Sequence, residues 1–170
     1  MRGRRIEAPP GNDTRPTTDK VREAVFNSLV SLDLVAGARV ADLFAGSGAL
    51  GIEALSRGAA HCTFAERDRT ALRTLRDNIE HLGVGDRARV VAGDAMAVAS
   101  GDFDLVLADP PYQFDRWEQL LGAIIAPFVV AESGRPLDDV EQLQIEGWTA
   151  TRASRRYGRT WVTFLERIDR

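Results

Sequence analysis

Short apolar runs alternate with longer amphipathic stretches between residues 17 and 131, and few folds accept that order. Val40-Ala41-Asp42-Leu43-Phe44, His61 to Glu66, Ala88 to Val91, Phe103 to Ala108 and Phe128-Val129-Val130-Ala131 have the length and composition of buried strands. The stretches between them carry helical spacing. Val21, Val25, Phe26 and Leu29 share one face of a helix that Thr17 or Thr18 can cap. Ala49 to Arg57 reads as a second helix. Asp68 opens a longer one, with Leu72, Leu75, Ile79 and Leu82 on its buried side and Gly83 at its close. Another helix, around Arg116 to Ile125, ends before Pro127. Strands alternating with helices predict a mostly parallel α/β sheet covered by helices on both faces. Leu143 to Thr151 and Thr160 to Glu166 read as two further strands, joined tightly through Arg156-Tyr157-Gly158-Arg159. An antiparallel C-terminal hairpin is therefore expected at one side of the sheet.

The 170 residues, 44% of them hydrophobic, suit a single domain spanning 1–170. One cysteine, Cys62, excludes an intramolecular disulfide and fits a reducing compartment. No apolar run approaches the roughly 18–20 residues of a membrane span, and no apolar stretch follows the N-terminal arginines as in a secretory signal. The expected location is the cytoplasm, away from membranes. The net charge of −3 is unevenly spread. Residues 1–22 carry +3 and residues 147–170 carry +4, which leaves −10 on the body. Basic ends on an acidic body are consistent with a positive rim that grips phosphates. Two solvated, arginine-rich termini would give the same count.

Gly46-Ser47-Gly48-Ala49-Leu50-Gly51 matches G-x-G-x-x-G, with Glu66 twenty residues beyond the first glycine. Taken literally, that is a dinucleotide fingerprint. The preceding Asp42 argues otherwise, because a pyrophosphate against the helix N-terminus would be repelled by it. S-adenosyl-L-methionine has no phosphate and carries an ammonium and a sulfonium, which Asp42 would attract directly or through water. Glu66 then suits the ribose hydroxyls. Asp94, with the backbone of Ala95, suits the adenine amino group. Phe44, Gly46, Gly48 and Arg67 complete the expected cofactor contacts. Each acid alone could equally cap a turn or helix, and Asp68 is the natural cap of the helix it opens.

Asp109-Pro110-Pro111-Tyr112 follows the fourth apolar run. Two prolines stiffen the corner and remove competing amide donors. A nucleobase amino group is a weak nucleophile because its lone pair is delocalised into the ring. Hydrogen bonds from it to Asp109 and the Pro110 carbonyl would localise that pair, and positioning of this kind supplies about 7–11 kcal/mol of a barrier. Tyr112 would stack on the base, worth roughly 1–3 kcal/mol. A paired base cannot enter, so the nucleotide must be unpaired or flipped. The catalytic candidates are Asp109, Pro110 and Tyr112, with Asp109 also facing the cofactor. A proline-stiffened turn with a surface tyrosine is the structural alternative.

With these residues in hand, the chain resembles the RsmD family of small-subunit ribosomal RNA guanine-N2 methyltransferases over nearly its whole length. The resemblance is carried by Arg15-Pro16-Thr17-Thr18-Asp19-Lys20-Val21-Arg22-Glu23, by Asp42 to Gly51, by Phe64-Ala65-Glu66-Arg67-Asp68, by Asp109 to Tyr112 and by Tyr157-Gly158-Arg159-Thr160. It is weak over 126–147. It implies a seven-stranded Rossmann-like sheet, S-adenosyl-L-methionine as cofactor, and one guanine of 16S rRNA as target in a partly assembled small subunit. A monomer is expected. Candidate phosphate contacts are Arg2, Arg4, Arg5, Arg15, Lys20 and Arg22 on one side, with Arg155, Arg156 and Arg159 on the other. Rival readings are an adenine-N6 methyltransferase, a nicotinamide-dependent oxidoreductase, and a binding module retaining the sheet. Cys62, His61, His81, Ser47, Trp117, Trp148 and Trp161 read as packing, capping or solvated residues, and no metal site is expected.

Overall fold

The structure, a computed structural model, describes residues 6–7, 19–139 and 145–168. Helix α1 (Asp19–Ser31) leads into β1 (Arg39–Asp42), α2 (Ala49–Ser56), β2 (His61–Glu66) and α3 (Arg69–Leu82). A 3-10 turn at Gly85–Arg87 precedes β3 (Ala88–Ala92), α4 (Met96–Ala99), β4 (Leu105–Ala108), α5 (Trp117–Ala123) and β5 (Phe128–Ser133). The chain closes with β6 (Trp148–Ala150), β7 (Arg155–Tyr157) and β8 (Thr160–Arg167).

The strands form one sheet in the order β3-β2-β1-β4-β5-β8-β6, with β7 also on β8. The first five positions are parallel. β8 runs antiparallel between β5 and β6. β6 pairs with the end of β8 (Trp148 with Arg167) and β7 with its start (Tyr157 with Thr160), so they are two halves of one interrupted edge strand. The break holds its own bonds: the Thr151 amide donates to the Phe164 carbonyl at 3.0 Å, and the Ser154 and Thr163 hydroxyls lie 2.7 Å apart. The sheet is therefore seven positions wide. The chain leaves β1 toward β3, then returns to place β4 on the other side of β1. This switch point is where open α/β sheets bind ligands.

Alternation along the strands sends Val40, Phe64, Leu105, Leu107, Val130 and Phe164 to a core beneath α1, α2 and α3. Ala41, Leu43, Ala65, Val106, Ala108, Val129 and Leu165 face a second core under α4 and α5. Both faces are covered, as the continuous apolar runs require. Asp68 caps α3 by accepting the Ala71 amide at 2.8 Å, and Gly83 ends it at φ 67°.

Several boundaries shift for local reasons. β1 stops at Asp42, although the Leu43 amide still donates to Leu107 at 3.0 Å. α5 ends at Ala123 because Ile124 is already extended, at ψ 129°. β5 runs on to Ser133 because β8 pairs with it up to Trp161. The strand expected from Leu143 is shortened to Trp148–Ala150, with Leu143 itself outside the described residues. Arg156 and Tyr157 belong to β7, and the tight turn is centred on Gly158 at φ 62°. Thr17 and Thr18 also lie outside the described residues. Trp148 is buried, and its Nε1 donates to the Leu121 carbonyl at 3.0 Å, as a packing residue should. Among the described residues, no helix is long and apolar enough to cross a membrane.

Candidate active site

The turn between β1 and α2 is shaped by glycines at two left-handed positions, Gly46 at φ 55° and Gly48 at φ 87°. The third glycine of the motif does different work. A Cβ on Gly51 would overlap Phe64 Cε1 and come within 2.6 Å of Cys62 Sγ, so its absence lets α2 lie close on β2.

Asp42 ends β1 beneath this loop. It is 1% exposed, and its Oδ2 accepts the Gly51 amide at 3.0 Å. Its Oδ1 is shut off from solvent with no hydrogen bond from the described residues. Burial pushes the carboxyl up to about 7, the Gly51 amide opposes this, and the Asp109 and Glu66 carboxylates add to the rise. Asp42 is not among the residues that line the cleft; its side chain stands behind the loop and anchors the first turn of α2.

Folding raises this carboxyl above its ordinary 3.8, so its contribution to stability is complete below about pH 4 and is lost as pH rises through about 7. Asp42→Asn keeps an acceptor for Gly51 and removes the charge. The variant is expected to melt higher than its parent at pH 8 without ligand and to lose most of the decline between pH 5 and 8. Thermal melts across that range check this; an unchanged pH slope would show that Asp42 does not titrate there.

Glu66, at the end of β2, accepts the Gly46 amide on Oε2 at 2.8 Å and the Asp68 amide on Oε1 at 2.7 Å. It clasps the glycine loop to the opening of α3, and each oxygen keeps a lone pair for another donor. Asp94, after β3, accepts the Met96 amide on Oδ1 at 2.9 Å. Its Oδ2 lies 3.8 Å from Arg67 and 3.9 Å from Arg116, both well exposed. Between these acids opens a cleft of about 360 Å³, part of it open to solvent. Phe44 and Phe114 form an aromatic wall, edge to face at 5.3 Å, and Trp117 backs Phe114 at 5.2 Å. Leu43, Ala65, Gly93, Phe114 and Arg116 line the cleft together with the expected Phe44, Glu66, Arg67, Asp94 and Ala95. The first five carried no sequence signal of their own.

The corner after β4 is graded in exposure. Asp109 is partly buried, Pro110 is buried and Pro111 exposed. The Phe114 amide donates to the Pro111 carbonyl at 2.9 Å, turning the chain back toward the cleft. Tyr112 sits within this turn, 47% exposed, and passes close to Gly134, where an added Cβ would sit 3.5 Å from its ring. A flat base could reach that ring.

Of the basic candidates, Arg2, Arg4, Arg5 and Arg15 lie outside the described residues. Lys20 is exposed at the start of α1. Arg22 is largely shielded and pairs with Asp19 within α1 at 2.8 Å and with Glu53 of α2 at 3.9 Å. Arg155, Arg156 and Arg159 are exposed on the β7–β8 hairpin. The pairing of Ser133 with Trp161 puts that hairpin at the edge where β4 delivers Tyr112. Arg156 also lies 5.9 Å over the Trp161 ring.

These residues fit a cationic, phosphate-free nucleoside: the acids that would repel a pyrophosphate surround the loop, and the aromatic wall suits an adenine. Fold and cleft together are those of a Rossmann-like methyltransferase whose cofactor is S-adenosyl-L-methionine. Known proteins agree. The family model described as "Conserved hypothetical protein 95" matches residues 1–166, and the chain belongs to that family, the RsmD family of methyltransferases. It is 37% identical over 179 residues to "Putative rRNA methyltransferase YlbH" of Bacillus subtilis, covering 98% of this chain and 95% of that one. Ribosomal RNA small subunit methyltransferase D of Escherichia coli is 41% identical over 126 residues, which is 72% of this chain and 62% of the relative. A solved Escherichia coli structure, "Putative methyltransferase yhhF", superposes with a TM-score of 0.81 at 34% identity, covering 99% of this chain and 94% of that one.

Proposed function

We propose that this protein methylates the exocyclic N2 amino group of a guanine in small-subunit ribosomal RNA, acting as a monomer on a partly assembled subunit in the cytoplasm. The observation that carries the reading is the corner after β4, where a partly buried Asp109 and a buried Pro110 stand beside an exposed Tyr112. The names of the relatives support ribosomal RNA as the substrate class.

Glu66, Asp94, Ala95, Phe44 and the glycine loop would hold S-adenosyl-L-methionine, with Arg67 and Asp109 at its margins. Bound there, the cofactor supplies a methyl group made electrophilic by its sulfonium. The chain's own residues do the rest. Tyr112 stacks the flipped base; Asp109 and the Pro110 carbonyl accept its amino hydrogens and free the nitrogen lone pair. The Asp109 carboxylate stands beside the proton that the amine must lose. Arg155, Arg156 and Arg159, with Lys20, offer charge to the RNA backbone without reading its sequence.

The test is tritium transfer from labelled cofactor to naked 16S RNA, to 30S particles and to duplex DNA, followed by nucleoside analysis. Label in N2-methylguanosine from ribosomal RNA is expected. Label in duplex DNA, or in N6-methyladenosine, would replace the proposal with the adenine reading.

A further inference from the structure

Asn78 is a polar side chain at a buried position of α3, 3% exposed in a helix whose buried side also holds Leu75, Ile79 and Leu82. A buried amide has to satisfy its donors and acceptor. Asn78 does so with two segments remote from it in sequence. Its Nδ2 donates to the Glu7 carbonyl at 3.0 Å and to the Ser47 carbonyl at 2.9 Å, and its Oδ1 accepts the Glu7 amide at 3.0 Å. The reciprocal pair with Glu7 imitates a strand partner, and neighbouring Ile6 packs on the core under α1 to α3. Ser47 is the residue between the two left-handed glycines of the cofactor loop.

We propose that Asn78 is a positioning residue that ties the N-terminal segment to the cofactor loop, so that docking of that segment sets cofactor affinity. The inference rests on the loop being the cofactor's. One side chain holds both segments; the amides of Ala45, Gly46 and Gly48 tie the loop to Ala65, Glu66 and Ala45, and Asn78 holds the Ser47 carbonyl between them. Losing the Glu7 amide leaves a buried Oδ1 without its donor and frees the amide to turn away from Ser47. Because coupling of this kind is reciprocal, a filled loop also strengthens the docking of Ile6 and Glu7.

Two substitutions at one position separate this from general stabilisation. Glu7→Pro deletes the backbone N–H that Asn78 accepts without altering a residue that lines the cleft, whereas Glu7→Ala retains it. Calorimetry with S-adenosylhomocysteine on the full chain is expected to give parental affinity for Glu7→Ala and about three- to tenfold weaker binding for Glu7→Pro. Asn78→Asp keeps an acceptor for Glu7 but loses both donated bonds, and should raise the cofactor KM by at least as much, with kcat at saturating cofactor near the parental value. Parental affinity in Glu7→Pro would overturn the proposal. A parent that does not bind S-adenosylhomocysteine would instead overturn the placement of the cofactor, and this inference with it.

Discussion

Asp109→Ala is expected to lower the rate of methyl transfer by at least about 10³-fold while leaving a folded protein that still binds S-adenosylhomocysteine. The reason lies in what a base amine lacks: its lone pair is committed to the ring until acceptors draw on its hydrogens. In the proposed mechanism Asp109 supplies one of the two acceptors at the corner, from a partly buried position where its charge is worth more than in water. Removing it leaves Tyr112 to stack a base that is bound but not activated, so the loss should fall on kcat more than on KM. Asp109→Asn preserves the shape and one acceptor oxygen but loses the charge beside the departing proton, and should recover only part of the rate. Single-turnover transfer, ligand calorimetry and a melting curve on the same preparation decide the matter. Parental turnover in Asp109→Ala would remove this carboxylate from the chemistry.

The second large effect is expected at Gly51. By helix propensity alone, Gly51→Ala within α2 should stabilise by about 1 kcal/mol. The surroundings reverse that sign. The new methyl would overlap Phe64 Cε1 and approach Cys62 Sγ to 2.6 Å, and both side chains are fully buried in β2. Overpacking of this kind costs about 1–3 kcal/mol, and Gly51→Val should cost more. The damage is not confined to packing. If α2 moves off β2, the Gly51 amide leaves Asp42, and the loop that presents Gly46 and Gly48 moves with the helix. Cofactor affinity should therefore fall together with melting temperature. Phe64→Leu, destabilising alone, should partly rescue Gly51→Ala by vacating the space. A Gly51→Ala protein that melts above its parent would refute the packing argument.

The sequence made some parts of this molecule legible and hid others for identifiable reasons. α3 could be read end to end because its amphipathic spacing, its Asp68 cap and its terminal Gly83 all state the same local preference. The turn at Gly158 was equally local. The burial of Asp42 could not be read, because a strand end fixes the position of a side chain and not whether the following loop covers it. Phe114 and Arg116 reach the cleft only through the turn closed by Phe114 on Pro111, a detail beyond any spacing rule. The pairing of Arg22 with Glu53 depends on α1 packing beside α2, which no local spacing states. The interrupted edge was hidden for a similar reason: β6 and β7 are strands only because β8 offers both of them a partner.

That placement of β8 orders events during synthesis. Every residue lining the cleft lies between Leu43 and Arg116, so a nascent chain has made all of them well before Thr160 emerges. β6 and β7 must then wait for the final strand to slot in beside β5 before they have anything to hydrogen-bond to. The walls of the cleft are thus complete in the growing polypeptide while the arginine-bearing hairpin still lacks its second arm.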